Sequence, residues 1–199
     1  MISKSKSTGF TLMELLVCLA IIGFVMAMVF LNSNSFGVTA AKAAATEMSV
    51  DVRQAQSYGE SVKQTDTGNF TTSYGISFNL SDPTAYYIFA DKNSNGKYDG
   101  DTSCSTGTEC VRKNQLQNGV SIASFCATVT GGSETCPAPN VQSISILFKR
   151  PDPTADIYTF DSLGSSIPNS DSAVRIILKS SSGGQSSVGV SKIGQVFIK

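Results

Sequence analysis

The sequence predicts an α+β protein: a long N-terminal α-helix, membrane-spanning in its first half, packed on a mainly antiparallel β-sheet globular domain. Three observations carry this expectation. Phe10 to Leu31 is a nearly unbroken apolar run with one charge and no proline. From Val38 to Val62 the composition turns to Ala, Lys, Glu, Gln and Arg, which are good helix formers. After Thr65 short β-branched and aromatic runs alternate with Gly, Asn, Asp, Ser and Pro.

The apolar run follows a short polar start, Met1 to Gly9, that carries Lys4 and Lys6. At 1.5 Å per residue it is long enough to cross a hydrocarbon layer of ~30 Å. No basic residue follows until Lys42, so the positive-inside rule keeps the N-terminus cytoplasmic and exports the rest. A secretory signal peptide is the competing reading, with Val38-Thr39-Ala40 as a small-residue cleavage site. The run exceeds the usual apolar length of such signals, and Glu14 stands inside its first turn. A carboxylate near the middle of a span costs roughly 2.5 to 3.5 kcal/mol on insertion scales, and less near an end. Such a residue calls for a partner. Cys18, in the same run, reads as a small side chain packed among helices rather than as a lipidation site. Gly23 has no second glycine at GxxxG spacing.

Beyond a softer section from Asn32 to Gly37, the positions Ala41, Ala45, Met48, Val52, Ala55 and Val62 share one helical face. Lys42, Glu47, Asp51, Arg53 and Glu60 are expected mostly elsewhere. This mostly alanine stripe is too short for three clean heptads, so it is expected to pack on the chain's own sheet rather than in a coiled coil. Strands are expected at Tyr74–Leu80, Ala85–Ala90, Glu109–Lys113, Gly119–Ala127, Val141–Lys149, Ile157–Phe160, Ala173–Lys179 and Val188–Lys199, with loops over Ser162–Ser172 and Ser180–Ser187. Their closeness leaves no room for parallel crossovers.

Composition narrows the chemistry. The chain has no His, which removes the usual neutral-pH base and every Ser/His or Cys/His nucleophile. An enzyme is therefore not expected. Fifteen basic residues against fifteen acidic ones argue against a sequence-independent nucleic-acid binder. Cys104, Cys110, Cys126 and Cys136 fall in the exported part, where disulfides form; four cysteines permit three connectivities. The local pairs Cys104 with Cys110 and Cys126 with Cys136 are favoured, each closing a turn-rich loop for about 2 to 3 kcal/mol. Without His or a CxxC, zinc is not expected. Asp91, Asn93, Asn95, Lys97, Asp99 and Asp101 follow the opening of the calcium-loop pattern D-x-[DN]-x-[DN]-G, with Thr102 where the bidentate glutamate belongs. Asn95-Gly96 is equally a hairpin turn signal. Both readings, turn and calcium site, stay open.

Gly9-Phe10-Thr11-Leu12-Met13-Glu14-Leu15-Leu16 resembles the prepilin cleavage and methylation motif of type IV pilins and type II secretion pseudopilins. The resemblance implies a leader of residues 1–9, cut between Gly9 and Phe10 by prepilin peptidase, which also methylates the new Phe10 amine. Its further implications are an assembly helix over 10–31, an amphipathic continuation over 32–64 and an exported domain over 65–199. Glu14 becomes the assembly residue, pairing with the Phe10 amine of a neighbouring subunit. The implied partners are prepilin peptidase, other pilin or pseudopilin subunits in a helical filament, an inner-membrane assembly platform and, before assembly, membrane lipid. The implied location is the bacterial inner membrane, then a periplasmic or extracellular filament. Further on, the Tyr74–Phe78 and Tyr87–Asp91 runs and the Val188–Val196 ending look like H-type minor pseudopilins and FimT-like minor pilins. The DNA uptake known for some of these is not carried over, because the ending Val196-Phe197-Ile198-Lys199 holds little positive charge. A structural filament subunit is thus expected, with a filament-displayed or membrane-anchored binding module, adhesin-like and calcium-stabilised, as the alternative.

Overall fold

The computed structural model describes residues 10–61, 72–167 and 171–199. Among the described residues one helix, α1 (Leu12–Glu60), is followed by eleven strands. At 49 residues, α1 is about 73 Å long. It runs through the Asn/Ser-rich section without a break, because both flanks favour helix and nucleation has already been met. Val62, assigned to the stripe from sequence, lies outside the described residues.

Every strand pairing is antiparallel. A six-stranded sheet has the order β3-β2-β1-β6-β7-β8 and a five-stranded sheet the order β11-β10-β9-β4-β5. The first comprises β1 (Ser73–Asn79), β2 (Ala85–Asp91), β3 (Cys110–Gln115), β6 (Ser143–Lys149), β7 (Asp152–Phe160) and β8 (Ser166–Ile167). The second comprises β4 (Val120–Val129), β5 (Glu134–Thr135), β9 (Asp171–Ser180), β10 (Gln185–Ser191) and β11 (Val196–Ile198). The expected Val188–Lys199 strand is two strands, since Gly194 takes a positive φ of 82° and folds the chain back on itself. The loop expected over Ser180–Ser187 is correspondingly short, as β10 begins at Gln185.

The second half of α1 lies against both sheets. Ala41, Ala45, Met48, Val52 and Ala55 are fully buried. They join Ile76, Phe78, Tyr86, Ile88, Ile144, Ile146 and Phe148 of the first sheet and Val174, Ile176, Leu178, Val188 and Val190 of the second in one core. Small side chains let the helix sit close. At its upper end the contact is bare backbone: a Cβ on Gly184, in the β9–β10 turn, would collide with the Gly37 carbonyl carbon and the Val38 nitrogen.

Antiparallel sheets commonly leave one face to solvent and then alternate apolar with polar side chains. Here β2 is buried at all seven positions. The cause is residues 92–109, between β2 and β3, which cross the outer face of the first sheet as a strap. Tyr98 of the strap stacks on Tyr87 at 4.9 Å between ring centroids and meets Phe89 edge-on at 5.6 Å. Gly96, at a φ of 75°, lies where a Cβ would touch the Tyr158 ring. The strap is therefore a third layer.

Candidate functional site

The N-terminal half of α1 is the first candidate. Leu12–Phe30 is long and apolar enough to cross a membrane by length and composition, and none of it is buried against the rest of the chain. Thr11 starts the helix: its backbone is extended, and its Oγ1 accepts the Glu14 N–H at 3.3 Å. Thr11 and Glu14 stand at capping-box spacing, and the Thr11 half of the box is formed. The cap places the Glu14 carboxylate, which is exposed, in the first turn, beside the positive end of the helix dipole. Phe10 is 79% exposed and Gly9 lies outside the described residues. Cys18 is a free, exposed thiol on the same bare segment.

The Asp91 loop is the second. Asp91 is buried, and its two oxygens accept the N–H groups of Asn95 and Gly96 at 3.1 and 3.0 Å. Asn93 and Asn95 donate their side-chain amides to Asp99 at 3.0 and 2.6 Å. Lys97 lies 4.0 Å from the other Asp99 oxygen. Asp101 belongs to a separate turn, where it accepts from the Ser103 and Ser105 hydroxyls and the Ser105 N–H; these bonds hold its carboxyl down at about 2. The six residues thus form two hydrogen-bonded groups. Among the described residues no three His, Cys, Asp or Glu side chains are grouped to hold a metal.

Glu109, which no sequence pattern marked, closes this loop. It is buried, and its oxygens accept the N–H groups of Lys92 and Asp99, both at 3.0 Å. Burial pushes its carboxyl up, aided by the negative charges of Asp91 and Asp99 and opposed by the two N–H donors. Next to it Cys110 is bonded to Cys104, with Cα atoms 5.1 Å apart. Cys126 is bonded to Cys136, and beside that bridge Arg175 holds Glu134 in a two-pronged pair at 2.7 and 2.6 Å.

Asp51 corrects the helical-wheel reading. Expected away from the packed face, it is buried beside Val52 and faces the first sheet. Tyr86 donates its hydroxyl to it at 2.6 Å and Asn114 its amide at 2.8 Å, while Arg112 makes a close ion pair. Burial and then Asp51 push the Tyr86 hydroxyl well above its ordinary value. Nothing here resembles a catalytic group, since all four side chains are committed to one another.

A cavity of about 220 Å³ opens between the strap and the first sheet. Its floor is Ser77, Ser143 and Ser145, its walls include Tyr87 and Tyr98, and Asp82 and Lys97 stand at its side.

Compared with known families, residues 4–30 match the prokaryotic N-terminal methylation motif. No curated protein and no solved structure matches the chain. The chain therefore carries a type IV prepilin motif on an apolar N-terminal helix, the mark of a pilin- or pseudopilin-like protein that prepilin peptidase processes.

Proposed function

We propose that this chain is a structural, non-enzymatic minor subunit, of H-type, in a type IV pilus or a type II secretion pseudopilus. One observation carries the reading: the methylation motif heads a helix whose first half is bare while its second half is built into a folded domain. A bare apolar cylinder needs lipid before assembly and other such helices after it. In this reading residues 1–9 are the leader, 10–31 the assembly helix, 32–64 its amphipathic continuation and 65–199 the exported domain. Residues 1–9 stay on the cytoplasmic side of the inner membrane, where the assembly platform receives the subunit.

Cleavage between Gly9 and Phe10 creates an amine one residue before the Thr11 cap. In a filament interior of low dielectric that amine pairs with the Glu14 carboxylate of a neighbouring subunit, and the pairing sets axial register; either charge left alone there is strongly unfavourable. Losing Lys4 and Lys6 also leaves 13 basic against 15 acidic side chains.

Mass spectrometry of the mature N-terminus tests the reading. N-methylated Phe10 is expected; an intact Met1 or a start at Ala41 overturns it. Unimpaired filament incorporation of Glu14→Ala overturns the assembly role of that residue.

A further inference from the structure

We propose that the cavity under the strap binds one neutral, hydroxyl-rich ring the size of a single pyranose. Its volume, about 220 Å³, lies below that of pockets that enclose drug-sized ligands. A single pyranose, one ring with its hydroxyls, is correspondingly smaller than a drug-sized ligand.

The floor departs from its surroundings. Where the strap covers the outer face of the first sheet it meets large aromatic rings, Tyr87 stacked under Tyr98 and Phe89 at that ring's edge, both buried. Ser77 and Ser145 are just as buried, at 6% and 1% exposure, yet are small and carry only a hydroxyl. A permanently closed face gains from apolar side chains at such positions, because burying a hydroxyl costs free energy unless it is bonded. The two Oγ atoms lie 3.4 Å apart, a long contact that uses one donor and leaves acceptor capacity on both. These are the groups a ligand hydroxyl would meet.

The charges at the site decide the ligand's own charge. Asp82 accepts the Tyr87 hydroxyl at 2.7 Å and lies 3.8 Å from the Lys113 ammonium. Lys97 lies 4.0 Å from Asp99. Each ion already faces an opposite one, so an anionic or cationic ligand must break a pair. A neutral hydroxyl only adds to it. The tyrosine rings supply apolar edges for the C–H positions of such a ring, which a string of waters would not use.

The test uses the full chain in a zwitterionic detergent without a sugar head group. Saturation-transfer NMR is recorded with methyl glucopyranoside, methyl galactopyranoside and N-acetylglucosamine, and with glucuronate and inorganic phosphate as anions. Transfer to at least one neutral pyranoside is expected, falling at least tenfold in the double variant Ser77→Ala/Ser145→Ala that keeps the wild-type near-ultraviolet circular dichroism. Ser143→Ala, at the half-buried end of the floor, serves if the double variant does not fold, with a loss of at least threefold expected. Transfer to none of the neutral pyranosides, transfer to the anions alone, or equal transfer in wild type and variants overturns the proposal.

Discussion

Replacing Asp51 by Ala removes the acceptor shared by three donors, and the cost depends on where each donor can turn afterwards. Arg112 is 43% exposed on its side chain, so its guanidinium reaches water and its pairing contributes no more than about 1 kcal/mol. Asn114 is half-buried and also recovers water. Tyr86 is 1% exposed. Its hydroxyl shares the Asp51 oxygen with the Asn114 amide, itself a donor, so the hydroxyl is left without an acceptor, and an unsatisfied buried hydroxyl costs about 1 to 3 kcal/mol. The total expected for Asp51→Ala is therefore about 2 to 4 kcal/mol, a large share of a typical stability of about 5 to 15 kcal/mol. Tyr86→Phe should cost less, about 1 kcal/mol, because Asp51 keeps two donors. In the double variant the stranded hydroxyl is gone, so the two changes should fall short of additivity by about 1 kcal/mol or more. Urea unfolding followed through tyrosine signals measures this; the chain has no Trp to interfere. A loss below about 0.5 kcal/mol for Asp51→Ala, or strict additivity with Tyr86→Phe, would refute the reasoning.

Other expectations concern the helix seat and the strap. Gly184→Ala drives a Cβ into the Gly37–Val38 backbone and should lower stability by about 1 to 3 kcal/mol in the same unfolding assay; an unchanged midpoint contradicts that contact. Glu109 has a folded-state carboxyl held above its ordinary 4.5, so the folded protein binds that proton more tightly than the unfolded chain. Its contribution is fully present below pH 4.5 and is lost as pH rises through the folded value, and Glu109→Gln should flatten this part of a stability–pH curve. Because Asp91, Asp99 and Glu109 already accept N–H donors within the loop, a chelator should leave the melting temperature unchanged; a calcium-dependent rise of several degrees would assign the loop a cation. Met48→Ala, at the centre of the helix–sheet core, should cost about 2 to 5 kcal/mol by denaturant unfolding.

Much of the fold could be read from residue order because local rules governed it. The spacing of Ala41, Ala45, Met48, Val52 and Ala55 marked the packed face of α1, and all five are buried. Alternating β-branched and aromatic runs marked the main strands. The two-residue strands β5 and β8 could not be seen that way: two ladder pairs are too few to leave a periodic trace. Asp51 was misplaced because helical geometry says which residues are neighbours, not which neighbour finds partners; Tyr86, Arg112 and Asn114 come from strands at least 35 residues away. Glu109 was invisible for a related reason, since its partners are backbone N–H groups brought back by the strap. The strap itself left one clue. The β2 sequence, Ala-Tyr-Tyr-Ile-Phe-Ala, lacks polar alternation, which signals a strand covered on both faces.

The continuity of α1 has a mechanical consequence. No joint separates the bare half from the half seated in the domain, so a pull on the anchored end travels straight along the rod. Its seat touches both sheets at once, through Met48 and Val52 within the core and through the Gly37–Gly184 abutment at the point of exit. Tension of that kind loads these contacts in shear, all together, instead of unzipping them one by one. The buried tether at Asp51 resists the same sliding. A load applied to the rod should therefore drag the folded domain along intact, and the first element to yield under sideways force should be the β9–β10 turn at the rim.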